Sequence, residues 1–492
     1  MDQRQCEKPT IALDAASIAP MYLQLYEQLR GMILRGELPA QTKLPPTREM
    51  ARRCQIGRVT VTAAYEQLQA EGYVESVVGA GTFVTTLPLL SPTPPARAPS
   101  LSPWGRRLRQ IVPDAASSTT PRPAIDFGFG RAFASLFPYD VWRRLLARYL
   151  STDDAILSRY GSAAGFFPLR QAVANYLAQA RGVHCTAEQV VIVSGAQQAL
   201  DVLARLYLQP GNRVLVETPG FADAFDVFRL HGCEVMGVGV DDAGILAEQL
   251  PSYPPARLIF VTPAHQFPRG GTLSLPRRLL LLRWAQQHHA LIIEDDYDSE
   301  LRYQGRPPAA LQGLDVTGQV IYLGTFSKVL FPALRLGYVV LPPLLTTPFI
   351  QAMSLLGRGA PTLTQAAVAD FISEGHFERH VRHLREAYRQ RRQALVAALQ
   401  EHMGNAVRFS PDEAGLHIML QLPPDADEAT IISQAAALGV GVYPGARFHL
   451  TTPSGKPPPS ILLGFSGLSQ PEIEEGVRRL AQVIVSQNGH GS

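Results

Sequence analysis

The stretch Thr325-Phe326-Ser327-Lys328 sets one lysine among small hydroxyl side chains at the end of an apolar run (Val320, Ile321, Leu323), with Arg335 seven residues further on. A lysine amine becomes a useful nucleophile toward an aldehyde when desolvation or neighbouring positive charge favours its neutral form. Thr325 and Ser327 can donate hydroxyl hydrogen bonds and Arg335 can clamp with its guanidinium, which together make a donor set for a phosphate. The chemistry these residues could do together is a Schiff base to a phosphorylated aldehyde.

A second stretch narrows that chemistry. Ala290-Leu291-Ile292-Ile293 reads as a buried strand and runs into Glu294-Asp295-Asp296-Tyr297-Asp298. Open α/β sheets bind ligands at the carboxyl ends of their strands, where this acidic cluster falls. A carboxylate there can keep a pyridine nitrogen protonated, and a phenol two residues on can hydrogen-bond a ring hydroxyl. Lysine, phosphate donors, carboxylate and phenol together point to pyridoxal 5'-phosphate as cofactor.

From about Ala124 to the C-terminus the chain resembles fold type I aminotransferases, which implies an α/β body with a large and a small subdomain. The resemblance makes Lys328 the Schiff-base lysine and Thr325, Ser327 and Arg335 phosphate ligands. It makes Asp295 the partner of the pyridine nitrogen, with Asp296 the alternative one register away, and Tyr297 the donor to the ring hydroxyl. Val190-Val191-Ile192-Val193-Ser194-Gly195-Ala196-Gln197 is similar to the family's strand and loop that seat the phosphate on a helix N-terminus, which brings in Gly195, Ala196 and Gln197. Phe221, in Glu217-Thr218-Pro219-Gly220-Phe221, matches the aromatic that stacks on the ring, and Tyr160 a tyrosine that reaches the phosphate held by the other subunit.

The other end of the chain carries different signals. Leu25, Leu29 and Ile33 repeat at helical spacing over Met21 to Arg35, and Gly36 ends the pattern. Thr47 is placed to cap a short helix from Arg48 to Cys54. Gln55-Ile56-Gly57 then turns into a second helix opening with Arg58-Val59-Thr60. Two helices joined through a glycine-containing turn form a helix-turn-helix layout. Tyr73-Val74-Glu75 and Gly81-Thr82-Phe83-Val84 read as a β-hairpin wing. Over roughly Ser17 to Thr85 the order resembles a GntR-type winged helix, with Arg48, Arg58, Thr60 and Gly81 as the DNA-binding residues. Arg52 and Arg53 add charge where phosphates would lie. Val59 stands where such domains commonly have asparagine, so their sequence preference does not carry over.

Three segments follow: a winged helix-turn-helix over 17–86, a linker over 87–123 and an aminotransferase-like body over 124–488. The linker is rich in Pro, Ala and Ser and carries Arg97, Arg106, Arg107, Arg109 and Arg122 against Asp114, so an extended semi-rigid spacer is expected. A net charge of +3 is too small to specify a partner by itself. Cys6, Cys54, Cys185 and Cys233 are too far apart for a metal pattern or a disulfide framework, which suits a cytoplasmic protein. No signal peptide, membrane segment or metal site is expected.

Taken over nearly its whole length, the chain resembles the MocR family of bacterial transcription regulators. His265-Gln266-Phe267-Pro268-Arg269-Gly270 fits that family better than the Asn-Pro-Thr-Gly of ordinary aminotransferases. The resemblance implies promoter DNA and a small-molecule effector as partners, with a head-to-tail homodimer. It leaves open whether the effector is an amino compound or a vitamin B6 vitamer. His265 and Arg447 are the residues offered to it. The alternative is an active aminotransferase with an accessory head. Against it, Leu462 stands where those enzymes bind the substrate carboxylate with arginine, so transamination is expected to be slow or absent. Leu462→Arg is expected to improve the binding of α-amino acids if the pocket is otherwise intact.

Overall fold

The computed structural model describes residues 11–14, 16–87, 100–111, 123–130, 134–152, 156, 158–252, 255–409, 414–450 and 457–488. The chain divides into two compact units, Met1–Ser100 and Leu101–Ser492.

In the head, helices Met21–Leu34, Thr47–Cys54 and Arg58–Ala70 are followed by the antiparallel strands Val74–Val77 and Gly81–Val84. Leu25, Leu29 and Ile33 pack against Val61, Ala64 and Leu68, so the helical repeat read from the sequence is the core-facing stripe. Two local details differ from expectation. Thr47 is the first residue of its helix rather than the cap, because Pro46 holds the cap position. The Thr47 hydroxyl instead accepts from Arg58 Nε at 3.3 Å. The turn between the two helices is made by Gln55 in the left-handed region (φ 55°), while Gly57 is extended.

The body is built on an eight-stranded sheet. Its strand order is Val190–Val193, Gly337–Val340, Val320–Thr325, Leu291–Asp296, Leu258–Val261, Arg213–Thr218, Glu234–Asp241 and Gly244–Ile245. Gly337–Val340 runs antiparallel to both neighbours, and the strands from Val320–Thr325 to Glu234–Asp241 run parallel. Alternate residues feed cores on the two faces: Val191, Leu323 and Ile293 on one, Ile192, Tyr322 and Ile292 on the other. Burial on both faces is why these strands read as continuous apolar runs rather than as alternation.

A smaller antiparallel sheet (His417–Gln421, Ser460–Gly464, Tyr443–Pro444) packs with the long helix His376–His402 and the helix Gln470–Asn488. Ile125–Asp126 pairs with Val440–Gly441, which stitches the start of the body to this subdomain and leads Phe129 and Gly130 toward the sheet edge. Gly464 permits that path, since a Cβ there would lie 2.5 Å from the Phe129 Cα. No helix among the described residues is long and apolar enough to cross a membrane.

Part of the expected spacer is ordered otherwise. Pro103–Leu108 forms a short helix in which Ser102 Oγ accepts from Gly105 N at 3.1 Å and proline opens the first turn. Arg107 Nε donates to the Leu230 carbonyl at 2.7 Å, binding this segment to the body. Arg97, Asp114 and Arg122 lie outside the described residues.

Candidate functional site

Sheet topology brings the phosphate-type donors together. Gly337 pairs with both Thr325 and Val193, so the loop leading to Lys328 and the loop leading to Gly195 leave the sheet side by side. Gly195 (φ 99°) caps the helix Ala196–Tyr207, leaving Ala196 and Gln197 in its first turn. A Cβ on Gly195 would come within 3.9 Å of the Arg335 guanidinium, itself presented from a left-handed backbone (φ 50°). Ser327 N donates to Thr325 Oγ1 at 3.1 Å, which leaves the Thr325 hydroxyl hydrogen for another acceptor.

Lys328 is half-buried as a residue, yet its amine is desolvated enough to push its pKa below the ordinary lysine value. Gly130 (φ 74°) passes directly over that amine: a Cβ there would lie 2.5 Å from Nζ. Asp298, Asp295 and Asp223 oppose the shift by attracting the charged form.

The two adjacent aspartates have different surroundings. Asp296 is held by Arg181 Nε at 2.7 Å and the Tyr322 hydroxyl at 2.6 Å, in a buried ion pair that keeps its pKa low. Asp295 points to the opposite face of the strand and, among the described residues, has no such partner. Desolvation, with Asp296 as the next contributor, pushes it up to about 8. A buried carboxylate in that condition is matched by a protonated ring nitrogen, so the donor set fits a pyridine ring.

Phe221 is half-buried at the N-terminus of helix Ala222–Leu230, its ring 6.3 Å from Phe260 at 28°. His265 Nδ1 lies 2.9 Å from Asp298 Oδ2 and 2.9 Å from the Tyr297 hydroxyl. With Asp298 ionised, the Nδ1–H donates to the carboxylate and the Tyr297 oxygen is a second acceptor, so the phenol proton is left to donate elsewhere. His417 donates from Nε2 to the Pro268 carbonyl at 3.1 Å, and burial drives its pKa down to about 3.

An apolar cluster adjoins these groups, and Phe221 and Tyr297 pack directly on it. Leu462 is fully buried with Phe267, Met419 and Phe448, and Phe129 and Tyr443 pack on the same cluster. An arginine at this position would place a charge among rings, so the expected gain in amino-acid binding depends on how the pocket accommodates it. Arg447 NH2 lies 3.3 Å from Asp223 Oδ1, bridging the small subdomain to the first turn of helix Ala222–Leu230. The other end of that helix is the Leu230 carbonyl gripped by Arg107. Tyr160 is 82% exposed, with Arg358 4.5 Å above its ring.

In the head, Arg48, Arg52, Arg53 and Arg58 are exposed, and Thr60 is half-buried. Gly81 (φ 120°) lets the Lys43 side chain lie across the wing, since a Cβ would fall 2.7 Å from Lys43 Cε. Val59 is 83% exposed beside Arg58.

Comparison with known proteins assigns both parts of the chain to families. The aminotransferase class I and II family matches residues 131–480, and the gntR family of bacterial regulatory proteins matches residues 21–84. A probable rhizopine catabolism regulatory protein, MocR, of Rhizobium meliloti is 38% identical over 98% of this chain and 97% of its own length. The chain belongs to the MocR family of transcription regulators. The pyridoxine biosynthesis regulator PdxR of Corynebacterium glutamicum is 30% identical, covering 88% of this chain and 89% of its own. The α-aminoadipate aminotransferase LysN of Thermus thermophilus, solved with N-(5'-phosphopyridoxyl)-L-leucine, superposes with TM-score 0.69 at 29% identity, over 74% of this chain and 93% of that one. The body thus has the fold type I aminotransferase fold, and the head is a DNA-binding winged helix, as the family implies.

Several residues that shape the cleft were not singled out in the sequence. Gly130 and Phe129 reach it only through the pairing of Ile125–Asp126 with the small subdomain. Asp298 stood in the acidic run without a partner to mark it out, and His417 lies 119 residues beyond Asp298 in sequence. A glycine pair flanking a phenylalanine, Gly128-Phe129-Gly130, was the one local signal available.

Proposed function

We propose that this regulator senses a small amino compound through pyridoxal 5'-phosphate attached at Lys328, and that the sensed state alters how its head engages promoter DNA. One observation carries the reading: a desolvated lysine and a buried carboxylate, Asp295, with no hydrogen-bonded side-chain partner among the described residues, stand together at the carboxyl edge of the sheet in a chain that also holds a winged helix. Bound there, the cofactor supplies an electrophilic carbon for amines and an electron-withdrawing ring.

The chain's own residues divide the remaining tasks. Lys328 offers its neutral amine for covalent attachment. Asp295 holds a proton on the ring nitrogen, and Phe221 offers a flat face to the ring. Tyr297 donates its phenol proton to the ring hydroxyl oxygen, with His265 and Asp298 fixing the phenol in place. Backbone N–H groups of Gly195, Ala196 and Gln197, with Thr325, Ser327 and Arg335, receive the phosphate. The exposure of Tyr160 supports a head-to-tail homodimer in which it serves the partner's phosphate. His265 and Arg447 border the effector's space. In the head, Arg48 and the backbone at Gly81 contact phosphates, and Arg58 and Thr60 reach base edges.

Purified protein should carry a chromophore that borohydride fixes to the peptide containing Lys328, and Lys328→Ala should lack it. A small amine should change both absorbance and promoter affinity in the wild type and neither in the variant. Equal promoter responses in the two proteins refute amine sensing. A response of cofactor-free protein to pyridoxal 5'-phosphate alone, with none to amines, replaces it with sensing of the vitamer.

A further inference from the structure

The wing of the head is wider than its hairpin. Gln41 N donates to the Val84 carbonyl at 2.8 Å, Val84 N to the Thr42 carbonyl at 3.0 Å and Leu44 N to the Thr82 carbonyl at 2.8 Å. Lys43 bridges Phe83, so residues 41–44 run antiparallel beside Gly81–Val84 as a third strand. Residues opposite one another in such a ladder share a face, and neighbours along a strand alternate between faces. Val74 and Val84 are buried in the head's core, which puts Lys43, Phe83 and Gly81 on the other, outward face. Leu44 is buried in the same core, and the Tyr65 hydroxyl donates to the Pro45 carbonyl at 2.9 Å. The segment carrying Lys43 is thereby fixed to helix Arg58–Ala70 as well as to the wing.

On the outward face the Lys43 stem lies diagonally over Gly81, where a Cβ would fall 2.7 Å from Cε and 3.5 Å from Nζ. The ammonium is so carried toward the hairpin turn. Lys43 is exposed and, among the described residues, forms no ion pair. Its Nζ lies 5.9 Å from the centroid of the Phe83 ring, at the outer limit of a cation–π contact. Glu37 and Glu49 are held by Arg35 and Arg53, and Glu75 lies beyond the Phe83 strand. A cation already ordered by its stem loses little side-chain freedom on meeting a phosphate, and the contact is a charge-assisted hydrogen bond that releases a counterion.

We propose that Lys43 is a phosphate-binding residue of the head, its ammonium meeting the same DNA phosphate as the wing backbone at Gly81. The inference rests on the reading that the wing at Gly81 contacts DNA.

Lys43→Met keeps a stem over Gly81 and removes the charge, whereas Lys43→Arg keeps both. Full-length protein is titrated with its promoter duplex and with a scrambled duplex of equal length, between about 50 and 200 mM salt. Lys43→Met should make the slope of log affinity against log salt shallower by about 0.9 for each head engaged, and should weaken both duplexes by the same factor. Lys43→Arg should keep the wild-type slope. A wild-type slope in Lys43→Met beside a shallower one in Arg48→Ala overturns this inference alone. An equal loss in Lys43→Arg, which would mean packing rather than charge, overturns it too, as does weakening of the promoter duplex only, which would make Lys43 a reader of bases. Wild-type slopes in both Lys43→Met and Arg48→Ala remove the underlying reading of the DNA face and this inference with it.

Discussion

The head and the cleft of the body use charge in opposite ways. In the head, Arg48, Arg52 and Arg58 stand exposed on a small three-helix core, and their charges face solvent until DNA arrives. In the cleft, Lys328, Asp295, Asp298 and His265 are crowded together out of water, and each shifts or fixes the state of another. Exposed charges contribute additively and in small steps, whereas buried ones fail as a unit when a partner is removed. The two regions should therefore respond differently to single substitutions.

The largest expected effect lies beneath the cleft. Arg181→Leu leaves Asp296 ionised and buried with only Tyr322 and the Ser299 N–H to hold it, and about 3–5 kcal/mol of the body's stability should be lost. The urea midpoint of the body's transition reads this. A change as small as that of an exposed pair would erase the contrast drawn between the two regions.

Asp295→Asn tests the cleft's electrostatics directly. In cofactor-free protein the folded state keeps a proton on Asp295 up to about pH 8, while the unfolded chain releases it near 3.8. Wild-type stability should therefore fall as pH rises through that window, and the asparagine variant should lack this contribution. The variant's advantage is nil below the window and full above it, whereas its affinity for cofactor should be reduced. Thermal melts at pH 5 and pH 9 showing the same difference between the two proteins would contradict the assignment.

In the head, Arg58→Ala should cost about 1–3 kcal/mol of specific promoter affinity without changing the fold. Thr47→Val, which removes only the acceptor that orients Arg58, should cost less. Operator titrations rank the two, and the reverse order would mean that Thr47 itself is the reader.

The smallest effect should come from the contact between Arg107 and helix Ala222–Leu230. Helix Ala222–Leu230 carries Phe221 and Asp223 at the cleft, and its last carbonyl is held by Arg107 of the linker. Arg107→Ala should leave cofactor uptake and effector-free promoter binding intact while reducing the coupling between effector and DNA by about 0.5–2 kcal/mol. Unaltered coupling would exclude this helix as a relay.

The sequence by itself determined the two-part organisation, the family and the residue types at the cofactor edge. Those signals are local: apolar repeats, a lysine behind hydroxyls, and acids closing a strand each bring their chemistry within a few residues. It left Asp295 and Asp296 as alternatives, because strand alternation sends neighbours to opposite faces and a run of acids does not show which face is which. The tertiary structure separated them, since Arg181 and Tyr322 reach only one of the faces. It also placed Gly130 over the lysine, joined His265 to Asp298 and sealed Leu462 among aromatic rings. These pairings join segments far apart in sequence, and they exist only once both sheets have formed and closed on one another.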